Sequence, residues 1–326
     1  MSRPVLTRRS FLATAAAAMG LHAGLAGAEA WGGPRAGASP VPLLRDPQFR
    51  RGFTVCDPAP GKHVERGRIA PGPASEPPAW FLDQWNSRFT LAGAAGETLQ
   101  GGAVRFADAA KAVTFGPPGG PEGDLVLALH ASKEYGDRLR REGEPWPHLL
   151  VEQRVEAGPA LAALASLRLH VECRLPLAVP RRGEGWTPGL HAAQFQAFLT
   201  VQNLNRASAG CGDYLWFGVP LYDSRSRIPP PHAARDTAGT DKFIYTPGGE
   251  AYTDRSAHDG AWITVNSDLL PLIRKGLEAA WQRDFLRGSR DLADYRPSSF
   301  NMGWELPGTL DVAMQVRNLS LAAETK

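Results

Sequence analysis

Motifs that bind cofactors or activate nucleophiles are missing from this 326-residue sequence. It contains no G-x-G-x-x-G or P-loop stretch, no H-E-x-x-H, no C-x-x-C and no G-x-S-x-G. Dinucleotide-dependent, zinc-protease and common serine-hydrolase activities therefore lack support. We predict a protein that uses no cofactor and holds no metal.

Charge of one sign is also scarce, as are cysteines. The 36 basic and 33 acidic residues nearly balance, whereas proteins that bind nucleic acid usually carry a basic excess on one face. We therefore expect no nucleic-acid partner. The three cysteines, Cys56, Cys173 and Cys211, allow one disulfide at most.

The N-terminal residues 1–30 are typical of a twin-arginine signal peptide. Arg8 and Arg9 precede a run rich in alanine and glycine, and Ala28-Glu29-Ala30 provides a small-residue cleavage site. The run is too weakly apolar for stable membrane insertion. We predict that the twin-arginine export machinery is a partner and that the mature protein is periplasmic or secreted.

Glycine and proline divide the rest of the chain into short apolar segments, with 35 and 28 residues respectively. This punctuation is typical of β-sheet proteins. Residues 31–79 lack periodicity and are predicted to be a linker and loop. Residues 80–326 are predicted to form one domain.

Alternation of apolar and polar residues predicts the strands of this domain. Leu167, Leu169 and Val171 would share a buried face opposite Arg168 and His170, as in an antiparallel sheet with one wet side. The candidate strands are 80–91, 103–107, 112–116, 124–132, 148–156, 166–175, 191–203, 213–222, 242–246, 261–266 and 309–321.

One segment has the period of a helix, from Asp268 to Phe285, with Leu269, Ile273 and Leu277 on its apolar side. A single helix among many strands, without βαβ alternation, indicates an all-β fold. We predict a two-sheet antiparallel jelly-roll sandwich with one amphipathic helix in its C-terminal half.

Two glutamates are the predicted catalytic residues. Glu152 shares a strand face with His148 and Arg154, so that its charge can be set by its neighbours. Glu305 lies beside Trp304 in a turn before the last strand, where desolvation would raise its pKa. Glycoside hydrolysis uses two carboxylates in this way.

Aromatic and amide side chains are the predicted binding groups for a polysaccharide or oligosaccharide. Amides offer donors and acceptors to hydroxyl groups, and aromatic faces stack on sugar rings. Tyr214, Trp216 and Tyr222 are predicted to share one strand face. The full binding set is His148, Arg154, His191, Gln194, Gln196, Tyr214, Trp216, Tyr222, Asp223 and Trp304.

With these strands and the Trp304-Glu305 pair, residues 80–321 resemble the concanavalin A-like jelly rolls of carbohydrate-active proteins. The resemblance implies a secreted protein that acts on glycans, with Glu152 and Glu305 in the positions of a two-glutamate pair. It is a likeness of architecture, without a shared family motif.

Three functions remain open at this point. The first is a glycoside hydrolase with Glu152 and Glu305 as its carboxylate pair. The second is a non-catalytic carbohydrate-binding protein of the envelope. The third is a polysaccharide lyase, with Tyr214 or His191 as base and Arg154 or Gln194 neutralising a uronate.

Overall fold

A computed structural model describes residues 39–326 except 62, 137, 157 and 238, so the predicted signal peptide lies outside the described residues. The described chain forms two β-sheets, sheet A and sheet B, which enclose a common apolar core. The predicted all-β sandwich is therefore confirmed. Two strand pairs are parallel, which the alternation did not indicate.

Sheet A contains eight strands, in the order β15-β10-β17-β8-β7-β6-β5, and β1 pairs with β17. Its strands are β1 Val41–Pro42, β5 Glu97–Thr98, β6 Val104–Ala107, β7 Lys111–Phe115, β8 Leu125–His130, β10 Leu164–Pro180, β15 Ile263–Asp268 and β17 Leu310–Thr325.

Sheet B contains nine strands, in the order β13-β14-β12-β11-β16-β9-β4-β2-β3. They are β2 Phe53–Cys56, β3 Glu65–Ile69, β4 Trp80–Asp83, β9 His148–Arg154, β11 Gln194–Asn203, β12 Tyr214–Asp223, β13 His232–Arg235, β14 Phe243–Thr246 and β16 Tyr295–Glu305. Strands β3 and β13 are its two edges.

Side chains from the inner faces of both sheets fill the core. Leu167, Leu169 and Val171 are buried as their alternation predicts, opposite residues such as Phe195 of sheet B. Trp304 is fully buried, and its indole N–H donates a hydrogen bond of 2.9 Å to the Leu127 carbonyl of sheet A. That bond connects the two layers.

The helices are few, and the main one lies where it is predicted. Helix α2, Leu270–Gln282, buries Ile273 and Leu277, and Asp268 accepts a hydrogen bond from the Leu270 N–H at its start. The other helical segments are α1 Ala131–Glu134 and the 3-10 turns Leu161–Ala163, Gly249–Ala251 and Ala257–Asp259.

The sandwich begins earlier than residue 80. Strands β2 and β3 lie within residues 39–79, and Phe53, Val55 and Ile69 are at most 1% exposed. The interpretation of this region as linker and loop is wrong here, because β2 is only four residues long and shows no extended alternation.

Strand β16 is not indicated by the sequence, although it lies in the middle of sheet B. Pro297, Gly303 and several polar residues interrupt any apolar pattern. Glu305 is consequently the last residue of a strand and not a turn residue.

All three cysteines are free, with Cys56 and Cys173 buried and Cys211 exposed. Among the described residues, no helix has the length and apolar character needed to cross a membrane.

Candidate active site

A line of polar side chains crosses the outer face of sheet B, the face turned away from sheet A. Leu149 and Val151 of β9 lie in the core, so His148 and Glu152 point outwards. Neighbouring strands of sheet B add further outward-pointing side chains, which continue this line across the sheet. We define the polar stripe as His63, Asp83, Glu152, His148, Glu305, Gln194 and Asp223.

The strand register places both predicted catalytic glutamates on this stripe. Glu152 pairs with Asn301 of β16, whereas Glu305 pairs with His148 of β9. The two glutamates are therefore four positions apart along neighbouring strands, which corresponds to about 13 Å between their Cα atoms in the strand direction. They face the same side of the sheet but are not directly opposite each other.

The nearest carboxylate to Glu152 is Asp83 of β4. Donor atoms of His63, Asp83 and Glu152 all lie within 4.8 Å of one another. His63 Nε2 is 3.3 Å from Asp83 Oδ2 and 3.8 Å from Glu152 Oε2. The His63 ring stacks on Phe81, with centroids 4.6 Å apart, and this contact holds the imidazole against the carboxylates.

Burial sets the protonation of this cluster. Asp83 is fully buried, and neither of its oxygens has a well-formed hydrogen bond to the described residues. Desolvation, followed by repulsion from Asp83, raises the pKa of Glu152 to about 7. Contact with Asp83, assisted by the Glu152 charge, raises the pKa of His63 above its usual value.

These conditions suit Glu152 to proton donation. Its side chain is 15% exposed, so it is desolvated yet accessible from the outer face. A carboxylic acid that retains its proton near neutral pH can act as a general acid. Asp83, which is closed to solvent, can only influence its neighbours.

The composition of the cluster, two carboxylates and one imidazole, would also suit a divalent cation. His63 Nε2 already contacts Asp83 and Glu152, and contact with Asp83 raises the pKa of His63, which favours the charged imidazolium where an ion would lie. We therefore interpret the cluster as three groups that share protons.

Glu305 lies further along the polar stripe, beside His148 and its aromatic neighbours. Its Oε2 is 4.0 Å from His148 Nε2, and the His148 ring is flanked by Trp85 and Trp146 at 5.8 Å and 6.1 Å. Both indole N–H groups and His148 Nδ1 are buried without hydrogen-bond partners among the described residues. Burial lowers the pKa of His148. Hydroxyl groups of a ligand would satisfy such unpaired groups.

Gln194 continues the stripe from Glu305 to β12. It is the Cα partner of Glu305 and donates a hydrogen bond of 3.1 Å from Nε2 to Asp223 Oδ2. Asp223 is 3% exposed and accepts two hydrogen bonds from the Arg225 guanidinium, of 2.8 and 2.5 Å. The predicted residues Gln194 and Asp223 are thus joined in one network.

Other predicted binding residues lie on the same outer face. Trp216 and Tyr214 are half-buried, and their rings meet edge to face at 5.3 Å. Gln196 is half-buried on β11, and Arg154 is exposed two positions beyond Glu152. The structure therefore places amides, aromatic rings and carboxylates on one surface.

Tyr222 does not share the face of Tyr214 and Trp216, so this prediction is wrong. Tyr222 pairs with Phe195 while Pro220 pairs with Gln196, which leaves one extra residue on β12. This β-bulge reverses the alternation. Tyr222 is therefore 3% exposed and packs against Trp304, with ring centroids 5.8 Å apart.

Two further predicted binding residues, Trp304 and His191, lie away from the outer face. Trp304 is fully buried in the core and is closed to a sugar on the outer face. His191 is 2% exposed; its Nδ1 accepts a hydrogen bond from the Thr187 N–H, and its Nε2 contacts the Arg140 carbonyl at 3.0 Å. Neither side chain reaches the outer face, so neither can contact a sugar bound there.

His63 and Asp83 were not predicted from the sequence. They come from a loop and a short strand that are distant in sequence from Glu152, so no motif spacing connects them. One local signal exists, because Asp83 ends an otherwise apolar strand, Trp80-Phe81-Leu82. Aspartate is almost never fully buried unless it is paired, so an aspartate in such a strand points to a partner such as His63.

Comparison with known proteins finds similarity of architecture at low sequence identity. A cellulase derived from Cel12A of Rhodothermus marinus is 12% identical, with 75% of this chain and 99% of that chain covered and a TM-score of 0.36. The family 11 xylanase from Neocallimastix patriciarum is 8% identical, with coverages of 75% and 99% and a TM-score of 0.37.

A third solved structure is the xyloglucanase domain of NopAA, a type three effector from Sinorhizobium fredii, in complex with cellobiose. It is 9% identical, with 72% of this chain and 100% of that domain covered and a TM-score of 0.35. No protein-family model matches the chain, and no curated protein matches it. Similarity at this level carries no argument about catalysis, so the function rests on the side chains described above.

Proposed function

We propose that the protein is a glycoside hydrolase that degrades a polysaccharide on the outer face of sheet B. The observation that carries the proposal is Glu152, an accessible carboxylic acid whose pKa is raised to about 7 by burial and by the buried charge of Asp83. Glu305 is the second carboxylate on the same stripe. Two acids on one sugar-binding face are the usual requirement for this reaction.

In this proposal, Glu152 donates its proton to the glycosidic oxygen as the bond to the anomeric carbon breaks. Glu305 accepts a proton from the water that attacks the same carbon. Retaining enzymes need carboxyl groups about 5 Å apart, whereas inverting enzymes leave about 6.5–9.5 Å for the water. The Cα atoms are offset by about 13 Å along the strands, so the retaining distance is out of reach, and the proposal takes the inverting arrangement with both side chains leaning towards the bond that is cleaved.

Substrate binding is assigned to the groups that surround this pair. Trp85 and Trp146 provide unpaired indole N–H donors beside Glu305. Gln194 and Gln196 provide amides, and Trp216 with its neighbour Tyr214 provides a stacking surface. We also propose, from the twin-arginine sequence, that the protein works in the periplasm or outside the cell.

The proposal is tested by replacing Glu152 with glutamine, which keeps the shape but removes the proton. Reducing-sugar release is measured on carboxymethylcellulose, xylan and polygalacturonate. Because a general acid contributes about 10²- to 10⁴-fold, Glu152→Gln should lower kcat by at least about 100-fold. Glu305→Gln should cause a similar loss.

Glu156→Gln is the matched control, because Glu156 follows the same strand, is 68% exposed and forms an ion pair with the half-exposed Arg45 at the surface. It should keep full activity, and EDTA should not change any of these rates. NMR of the first product should show the inverted anomer. Full activity of Glu152→Gln would refute the proposal, and unsaturated products absorbing ultraviolet light would identify a lyase instead.

A further inference from the structure

A cavity lies where the polar stripe ends, and none of the catalytic groups proposed above lines it. Its volume is about 340 Å³, within the range of small-ligand sites. The floor comes from apolar residues of sheet A, and the walls come from the loop before β11 and from the end of β12. The residues that matter here are Arg182, Trp186, His191, Tyr222, Arg225 and His258.

Two arginines, Arg182 and Arg225, line this cavity, and the described lining includes no acidic residue. Arg225 is neutralised by Asp223, to which it donates two hydrogen bonds. Arg182 has no ion pair within the described part of the chain, and its guanidinium lies over the Trp186 ring at 4.7 Å. The cavity therefore carries a net attraction for anions.

Two donors in the lining are unpaired. Tyr222 is 3% exposed, and its hydroxyl makes no hydrogen bond to the described residues. Burial raises the pKa of Tyr222 to about 12, so the hydroxyl keeps its proton. The Trp186 indole N–H is likewise buried without a partner in the described structure. A ligand with acceptor oxygens would satisfy both groups.

Position connects this cavity with the proposed glycan site. Asp223 accepts hydrogen bonds from both the Arg225 guanidinium and the Gln194 amide. Gln194 in turn is the Cα partner of Glu305 across β11 and β16. The Trp186 ring stacks on the His191 ring, with centroids 6.2 Å apart, and the Arg182 guanidinium lies over the Trp186 ring. These contacts hold Arg182 at the cavity, where its guanidinium can pair with an acidic substituent of a sugar.

We infer that this cavity binds the anionic group of an acidic sugar, a carboxylate or a sulfate, with Arg182 as its ionic partner and Tyr222 and Trp186 as hydrogen-bond donors. This rests on the proposed function, and it names the substrate class as an acidic polysaccharide. The catalytic groups of the stripe are not needed for binding in the cavity.

The experiment is a calorimetric titration of the whole protein with three probes, methyl β-glucuronide, glucose 6-sulfate and methyl β-glucoside. At least one anionic probe should bind at least tenfold more tightly than the neutral glucoside. A preference for the glucuronide assigns a uronate, and a preference for the sulfate ester assigns a sulfated sugar; each supports the inference. Absence of saturable binding up to millimolar probe, or equal affinity for all three, overturns it.

Substitutions of the lining residues test whether the anionic probe binds in this cavity. Tyr222→Phe removes only the hydroxyl and should weaken the anionic probe about three- to tenfold. Arg182→Gln should abolish the preference over the neutral glucoside. Arg227→Gln is the control, because Arg227 is 68% exposed, pairs with Asp259 and does not line the cavity. Unchanged affinity in both Tyr222→Phe and Arg182→Gln, with native melting temperatures, would refute the assignment.

Repeating the titration with Glu152→Gln separates this inference from the proposed function. Anionic binding that survives in this variant supports the cavity, whether or not hydrolysis is lost. Loss of hydrolysis in Glu152→Gln without any anionic preference of the native protein would leave the hydrolase proposal intact and overturn the cavity alone.

Discussion

Asp83 raises the pKa values of its neighbours Glu152 and His63, although its own side chain is fully buried. A buried carboxylate without well-formed hydrogen bonds costs stability, so a functional reason for it is expected. The raised pKa of Glu152 adds to this cost. Because the folded state holds that proton to about pH 7 and its ordinary pKa is 4.5, stability from this group falls as pH rises between those values.

The pH dependence of activity tests this influence. Because the acid must be protonated, kcat/KM should fall as pH rises through about 7. Asp83→Asn removes the repelling charge, lowers the pKa of Glu152 and should shift this limb to lower pH. His63→Gln removes a stabilising cation and should shift it to higher pH. Measured profiles that move in the same direction, or not at all, would contradict this account.

Elements differ in how much of them the sequence predicts. Long alternating segments such as 167–175 are predicted well, because burial on one face leaves a clear period. Strand β16 is not predicted, because a proline, Gly303 and several polar residues interrupt the apolar alternation. The β-bulge in β12 leaves no signal in the sequence either. Because of this bulge, Asp223 lies on the outer face as predicted, whereas Tyr222 points into the core. Consequently the outer face could be anticipated, but the cluster of His63, Asp83 and Glu152 could not.

Gly303 allows β9 and β16 to pair at the centre of sheet B. A Cβ atom added to it would lie 2.1 Å from the Leu149 carbonyl oxygen, so the strands would have to separate. We expect Gly303→Ala to lower the free energy of unfolding by about 1–3 kcal/mol. Urea denaturation followed by circular dichroism measures this loss.

Gly189 provides the control for that substitution, because nothing lies within 4 Å of an added Cβ. Gly189→Ala should change the unfolding free energy by less than about 0.5 kcal/mol. Equal effects of the two substitutions would show that the close approach to Leu149 does not govern stability.

At the scale of the whole molecule, the sandwich depends on residues that precede the predicted domain boundary. Phe49, Phe53 and Val55 are fully buried and belong to the same core as the later strands. Each large apolar side chain contributes about 1.5–3 kcal/mol when buried, and whole domains are stable by only about 5–15 kcal/mol.

A chain that begins at Trp80 should therefore fail to fold, whereas one that begins at Ser39 should melt cooperatively. Thermal denaturation and size-exclusion chromatography compare the two. A cooperative transition for the shorter chain within a few degrees of the longer one would show that β1 to β3 are dispensable.

The edge strand β3 bears on the behaviour of the protein at high concentration. Glu65, Arg66 and Arg68 are exposed along only five residues. A second molecule that tried to extend sheet B here would have to bring its own strand against these charges, and short charged edges oppose such pairing. Strand β3 therefore opposes polymerisation of the protein through this edge of sheet B.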